Sequence, residues 1–131
     1  MATIKAFTDI SQSKVLAKIL PIESADMAYL IYKDDGHVVN KSPYVMDGTE
    51  VRGDDGLFNY VDCWSLAALI NVLKPHLRRF EISVRVDKNY NVFAANEVFR
   101  YFNYDDKPEG FDNLIDACVT IIEKLYEQNL L

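Results

Sequence analysis

The sequence predicts an α+β fold in a single domain, residues 1–131, with an antiparallel sheet of about four strands packed against two or three helices. Three observations support this fold class. Residues 80–86 alternate apolar and polar side chains, which is typical of a half-buried strand. Residues 64–74 and 113–128 carry apolar side chains at helical spacing. Glycine, proline and acidic stretches separate these segments and mark turns and loops.

The first helix is predicted in "TDISQSKVLAKILP", residues 8–21. Thr8 or Asp9 can accept hydrogen bonds from its first free N–H groups, and Gln12 lies three residues after Asp9, as in a capping box. Pro21 ends this helix because proline lacks an N–H donor and clashes with the preceding turn.

Residues 27–32 are apolar at successive positions, which predicts a strand covered on both faces. "DDG" after it predicts a hairpin turn in which Gly36 adopts a positive φ. Pro43 interrupts the returning strand. Residues 47–56 are rich in glycine and acidic residues, which predicts a solvated loop. No glycine in these acidic segments gives an EF-hand register with a carboxylate at position 1, so only a loose calcium site in 47–56 is left open.

The second helix is predicted from Trp64 to Lys74, with Asp62 or Ser65 as its cap and Pro75 at its end. Its apolar side chains cover most of the helix circumference, which is typical of a buried helix. We therefore expect the segment to form core, with burial of Trp64, Leu66 or Ala67, Leu69, Ile70 and Leu73. An exposed docking helix is the less favoured alternative.

Phe80, Ile82, Val84 and Val86 form the apolar face of the next predicted strand. "DKNYN" turns the chain, and residues 91–95 return antiparallel. The last helix, residues 113–128, is capped by Asp112 or Asn113. Its predicted buried stripe consists of Leu114, Ile115, Cys118, Ile121, Ile122 and Leu125.

The composition restricts the class of protein. The net charge of −6 opposes binding to phosphate backbones and anionic membranes. No run approaches the roughly 20 apolar residues of a membrane span. The N-terminal ten residues lack the pattern of a signal peptide, and we expect Cys63 and Cys118 to be free thiols. These features together predict a cytoplasmic protein without a membrane partner.

Three phrases, "FTDISQSKVLAKILPIESADM", "CWSLAALINVLKP" and "DNLIDACVTIIEKLYEQNLL", cover both ends and the middle of the chain. Together they resemble a group of small uncharacterised proteins of Bacteroidetes genomes and their phages or mobile elements. Leu114 replaces an expected proline, and "LKP" replaces the usual "LP". The resemblance implies a bacterial or phage origin and a cytoplasmic location, and it supplies no activity or catalytic residue.

The candidate chemistry is sparse. Cys63, Asp62 and His76 could form a nucleophile and its partners, but an intervening helix of eleven residues would separate Cys63 from His76 by about 16 Å. His37 and His76 lack paired spacing, and neither thiol has a second cysteine two residues away. No phosphate loop, nucleotide fingerprint or serine elbow is present. We therefore expect no cofactor and no metal, and the sequence does not support an enzyme.

Residues 74–100 are basic within an acidic chain. Six bases and three acids give this window a charge of +3, which leaves −9 for the remainder. A basic hairpin with aromatic residues can hold single-stranded nucleic acid by charge and stacking. This alternative would use Arg78, Arg79, Arg85, Lys88 and Arg100. A second alternative is an inhibitor whose acidic face mimics DNA.

Sixteen aromatic residues in 131 exceed what a core of this size encloses readily. Exposed aromatic side chains beside arginine are typical of protein interfaces. The sequence therefore favours a non-catalytic protein-binding or regulatory module whose partner is another protein or a second copy, as in a homodimer. The candidate interface residues are Tyr44, Phe58, Tyr60, Phe99, Tyr101, Phe102 and Tyr104.

Overall fold

The computed structural model describes residues 5–39, 42–45, 58–85 and 87–131, and it confirms the α+β class. Within these ranges the chain forms three α-helices and six strands. The strands form two antiparallel sheets of three, where the sequence indicated one sheet of about four. The chain divides into two compact units, residues 7–68 and residues 69–131 together with 1–6. The single domain expected from the length stays a prediction.

The unit of residues 7–68 contains the sheet β2-β1-β3. Its strands are β1 (Met27–Tyr32), β2 (Tyr44–Val45) and β3 (Phe58–Cys63). Ala28, Tyr29 and Ile31 of the central strand β1 are buried, as the apolar run predicted, whereas Tyr32 at the end of the strand is 40% exposed. Gly36 has a φ of +72° in the turn after β1, as the "DDG" sequence predicted. Among the residues described after β1, the expected returning strand is represented by β2 and by a bridge between Ile31 and Val38.

Helix α1 (Ile10–Ala17) begins at the predicted capping box and packs against β3. The Gln12 backbone N–H donates to Asp9 Oδ1 over 2.8 Å, and the Asp9 N–H donates to Gln12 Oε1 over 3.1 Å. Both bonds satisfy N–H groups that have no partner within the helix. Leu16 and Ser13 are the fully buried residues of this helix.

Helix α2 (Leu66–Leu73) begins two residues later than the sequence indicated. Ser65 is its cap, since the Ala68 N–H donates to Ser65 Oγ over 3.2 Å. Trp64 therefore precedes the helix. Trp64 and Leu69 are completely buried, and Leu73 is 1% exposed. Leu66 and Ile70 are only half-buried, and Ala67 is exposed. The prediction of an almost wholly buried helix was therefore wrong for the face that carries these three residues.

The unit of residues 69–131 contains the sheet β4-β5-β6. Its strands are β4 (Arg79–Val84), β5 (Tyr90–Ala95) and β6 (Arg100–Phe102). Helix α3 (Leu114–Glu127) packs against the central strand β5. Asn113 is its cap, because the Asp116 N–H donates to Asn113 Oδ1 over 2.9 Å. The predicted stripe is buried at Ile115, Cys118, Ile121, Ile122 and Leu125, and half-buried at Leu114.

Asn103 joins this sheet to α3. Its Oδ1 accepts the Val92 N–H over 2.8 Å, and its Nδ2 donates to the Ala117 carbonyl oxygen over 3.0 Å. Asn103 is completely buried, so both bonds lie away from water. A single amide side chain therefore satisfies backbone groups of β5 and α3 together.

In the part of the chain that the structure describes, no helix has the length and apolar character needed to cross a bilayer.

Candidate functional site

Strand β4 lies at the edge of its sheet. It pairs with β5 alone, and β5 pairs with β6 on its other side. Among the described residues, no strand continues the sheet beyond β4. An edge strand carries a row of backbone groups that can pair with another chain.

The hairpin between β4 and β5 determines which backbone groups of β4 point outward. The Arg85 N–H donates to the Asn89 carbonyl oxygen over 2.8 Å, and the Lys88 N–H donates to the Arg85 oxygen over 2.9 Å. The backbone N–H and C=O groups of Arg85 therefore point toward the hairpin and β5, and not toward the open edge. Because alternate residues of a strand in an antiparallel pair point their backbone groups in opposite directions, Ile82 and Val84 direct theirs toward the open edge.

The side chains of Ile82 and Val84 are also exposed, by 42% and 59%. The alternating sequence predicted burial of this face, and that prediction was wrong for both residues. Phe80 is half-buried, and Val86 lies outside the described residues. The physical reason is that α3 packs against β5, where Val92 and Ala94 are fully buried, and the edge strand projects beyond this cover.

The opposite face of the sheet carries aromatic and basic residues. The register aligns Glu81, Phe93 and Phe102 in one row, and Arg79, Ala95 and Arg100 in the next. The Phe102 and Tyr104 rings stack with centroids 5.7 Å apart. This face is open to solvent, because Arg79, Glu81, Arg100 and Tyr104 are exposed there.

Two arginines lie over the aromatic rings of this face. The guanidinium of Arg79 is 5.2 Å from the centre of the Phe93 ring, and that of Arg85 is 5.0 Å from the centre of the Tyr104 ring. Such contacts attract a cation to the face of a ring. Arg79 also forms an ion pair with Glu81, and Arg85 also donates to the carbonyl oxygen of Pro108. A groove of about 470 Å³ lies beside the edge strand, lined by Arg79, Glu81, Ile82, Ser83, Phe93 and Phe102.

The five predicted nucleic-acid contacts are partly brought together. Register places Arg79 and Arg100 on the aromatic face, and the cation–π contact places Arg85 over it. Arg78 forms an ion pair with Glu97, and Lys88 lies in the hairpin turn with a φ of +66°. Three of the five therefore share the aromatic face.

The predicted interface aromatics are divided between the two compact units, and each group is described by itself. Tyr44, Phe58 and Tyr60 are half-buried in the unit of residues 7–68. In the other unit, Tyr104 is 38% exposed, Tyr101 and Phe102 are half-buried, and Phe99 is only 7% exposed. The expected exposure of Phe99 was therefore wrong, because this ring is buried and stacks on Tyr101. Phe93, which the sequence did not place among the interface candidates, is half-buried on the open face. Its position between Val92 and Ala94, which share the other face of the strand, was the available signal.

Both cysteines are free thiols, as predicted, and both are completely buried. Cys63 Sγ lies 3.3 Å from the Thr8 carbonyl oxygen, which also accepts the Tyr29 hydroxyl over 2.8 Å. Burial raises the pKa of Cys63 above its usual value and raises the pKa of Cys118 to about 12. Both thiols are therefore protonated near neutral pH, which disfavours nucleophilic chemistry.

Among the described residues, no group of three or more His, Cys, Asp and Glu could hold a metal ion. The acidic segment 47–56, for which a loose calcium site was left open, lies outside the described residues.

A scan against protein-family models, a search of curated proteins and a search of solved structures each found no match to this chain.

Proposed function

We propose that this chain is a non-catalytic protein-binding module whose binding surface is the open edge of β4 with the groove beside it. The observation that carries the proposal is the exposure of Ile82 and Val84 on a strand with no neighbour on its outer side among the described residues. Natural proteins usually protect such an edge with charges, proline, a bulge or a covering loop. Arg79, Glu81 and Arg85 place charges along β4 and directly after it, but Ile82 and Val84 remain exposed between them. A strand edge with exposed backbone groups is the structural basis of recognition by strand addition.

The two buried thiols suit a reducing compartment, and they support the proposal that the protein acts in the cytoplasm. The adjoining groove adds phenylalanine and arginine side chains, which are enriched at protein interfaces.

The test is affinity capture from a lysate of the source organism with the full chain immobilised. We expect a specific protein to be retained by the wild type and lost with Ile82→Glu. Val15→Glu is the matched control, because Val15 is exposed by the same 42% on helix α1. Equal retention by all three proteins, or retention by none, would contradict the proposal.

One observation favours a second candidate function, binding of single-stranded nucleic acid. Phe93, Phe102 and Tyr104 share the open face with Arg79 and Arg85. Bases can stack on such rings while arginines neutralise phosphates. Binding of a labelled poly-uridine RNA, weakened by added salt and by Phe93→Ala, would support this function. Tyr126→Ala is the control, because Tyr126 is an exposed aromatic residue on α3.

A further inference from the structure

We infer that the open edge of β4 binds β4 of a second copy of this chain, in an antiparallel pair that sets Ile82 opposite Val84 of the second copy. The inference rests on the proposed function and specifies the partner. Three properties of β4 carry it: the direction of its outward backbone groups, the position of its exposed apolar side chains, and a charge pattern on its other face that is complementary to itself.

The outward backbone groups of β4 fit this register. Arg85 points its backbone groups to the hairpin, so Ile82 and Val84 direct theirs to the open edge. Two opposite residues of an antiparallel pair exchange both N–H···O bonds when each points its groups at the other strand. Ile82 and Val84 of the second copy meet this condition. A two-fold axis at Ser83 repeats the same bonded pair on its other side.

The exposed apolar side chains of β4 cover each other in the same register. Ile82 and Val84 are 42% and 59% exposed in the single chain, at the edge that projects beyond the cover of α3. Opposite residues of a strand pair project from the same face and contact each other. The pairing therefore removes from water the two apolar side chains of β4 that the single chain leaves exposed.

The charges on the other face of β4 are complementary to themselves about Ser83. Glu81 lies two residues before Ser83, and Arg85 lies two residues after it. The register therefore sets Glu81 opposite Arg85 of the second copy on both sides of the axis. These positions carry no backbone bonds between the two strands, so their side chains approach most closely. Opposite charges at such positions stabilise a strand pair.

Both charged residues already have contacts within the chain. Glu81 forms an ion pair with Arg79 over 2.8 Å, and its carboxylate can accept bonds from a second arginine as well. Arg85 lies over the Tyr104 ring and donates to the Pro108 carbonyl oxygen. Pairing with a second copy requires the Arg85 side chain to exchange these contacts for the carboxylate across the edge.

The other registers that pair outward groups fit less well. A register centred on Phe80 leaves Ile82 and Val84 opposite residues that precede β4. Each remaining register sets like charges opposite each other, which destabilises a strand pair. These like-charge pairs are Arg79 with Arg85 when Ile82 faces itself, Glu81 with Glu81 when Phe80 faces Ile82, and Glu81 with Asp87 when Val84 faces itself.

This self-complementarity is the reason to choose a second copy as the partner. A two-fold contact requires one surface to match itself, whereas a contact with an unrelated strand does not. The pair would join the three strands of each copy into one continuous sheet. Because the axis is normal to the sheet at Ser83, both α3 helices lie on one face and both aromatic faces lie on the other.

The first test is a charge swap in the full chain, followed by sedimentation equilibrium. We expect the wild type to dimerise reversibly below about 1 mM. Glu81→Arg alone and Arg85→Glu alone should each raise the dimer dissociation constant about tenfold or more, because each sets like charges opposite each other twice. An equimolar mixture of the two variants should restore dimerisation, since every such pair then joins an arginine to a glutamate.

Controls make the charge swap specific. Glu23→Arg makes the same change at an exposed residue outside β4 and should leave the wild-type dissociation constant unchanged. A mixture of Glu23→Arg with Arg85→Glu should not restore dimerisation beyond that of Glu23→Arg itself. Circular dichroism establishes that each variant is folded. A mixture of the Glu81 and Arg85 variants with no more dimer than either variant alone would overturn the inference.

The second test identifies the register without changing a charge. Ser83→Cys places two thiols opposite each other at the axis, within the Cα separation of about 4.4–6.8 Å that a disulfide needs. We expect a disulfide-linked dimer on mild oxidation, since Cys63 and Cys118 are buried. Val15→Cys, at a residue 42% exposed on α1, is the control and should remain a monomer. Faster cross-linking of Ile82→Cys than of Ser83→Cys would overturn the register.

The outcomes distinguish failure of this inference from failure of the proposed function. If lysate capture retains the native copy of this chain and Ile82→Glu abolishes the retention, both stand. If the chain stays monomeric and captures a different protein in a manner that depends on Ile82, the inference fails and the protein-binding function stands. If the chain stays monomeric and captures no protein, both fail.

Discussion

The indole N–H of Trp64 donates a hydrogen bond of 2.9 Å to the hydroxyl oxygen of Ser24. The Trp64 side chain is otherwise enclosed, with 0% of its surface exposed. Its backbone N–H is bonded as well, to Thr8 Oγ1 over 3.2 Å. The single tryptophan of the chain is therefore held at both its backbone and its ring within the unit of residues 7–68.

Replacing Trp64 by Ala should lower the free energy of unfolding by about 3–5 kcal/mol, because the substitution leaves a large cavity. Urea denaturation followed by circular dichroism measures the loss. Ser24→Ala is the companion variant, and it should cost about 1–3 kcal/mol by leaving the buried indole N–H without a partner. Native-like stability of Trp64→Ala would contradict the assignment of this residue to the core.

Asn103 is predicted to be the most sensitive polar residue of the sheet β4-β5-β6. Asn103→Ala should lower the free energy of unfolding by about 2–4 kcal/mol, since it leaves the Val92 N–H unbonded in the interior and opens a cavity. Denaturant titration provides the measurement. Asn71→Ala is a control at an exposed asparagine of helix α2, for which no comparable loss is expected. A loss within experimental error of that control would refute the structural role of Asn103.

Cys118 should make stability fall at alkaline pH. Burial raises the pKa of its thiol to about 12 in the folded protein, whereas an unfolded thiol ionises near pH 9. The unfolded state therefore loses its proton first, and stability declines as pH rises from about 9 toward 12. The decline from this group should approach about 1 kcal/mol per pH unit.

Cys118→Ala isolates this effect from the other groups that titrate at alkaline pH. The difference in unfolding free energy between the wild type and the variant should be smaller at pH 10 than at pH 7.5. Only the wild type carries the buried thiol whose ionisation in the unfolded state lowers stability at high pH. Parallel pH profiles of the two proteins would show that Cys118 makes no such contribution.

Lys88 occupies a backbone conformation that favours glycine, with a φ of +66° in the hairpin between β4 and β5. Lys88→Gly should raise the free energy of unfolding by up to about 1 kcal/mol, because glycine adopts this conformation without steric cost. Thermal unfolding measures the gain. Lys18→Gly, at a residue with a φ of −84°, is the control and should not stabilise the protein. A lower stability of Lys88→Gly would mean that the lysine side chain contributes more than its backbone strain costs.

Local sequence determined the N-terminal caps of α1 and α3 and the identity of much of the core, whereas α1 ends at Ala17, before the predicted Pro21, and α2 begins two residues later than predicted. The capping box of Asp9 and Gln12, the Asn113 cap and the stripe of α3 depend on residues within a few positions of one another, so spacing alone identifies them. Burial of Trp64, Leu69 and Leu73 follows from the same local hydrophobic pattern. The free thiols also agree with the sequence, since neither cysteine belongs to a recognisable pairing pattern.

Tertiary structure alone decided which apolar surfaces are covered. The alternation of Phe80, Ile82 and Val84 defines a face, but only the position of α3 over β5 determines that this face is covered at Val92 and exposed at Ile82. The candidate binding surface could not be predicted for the same reason. Strand order makes β4 an edge, and pairing across residues distant in the chain aligns Glu81, Phe93 and Phe102. A hydrophobic pattern specifies what a strand can bury, whereas packing between distant segments determines what remains available to a partner.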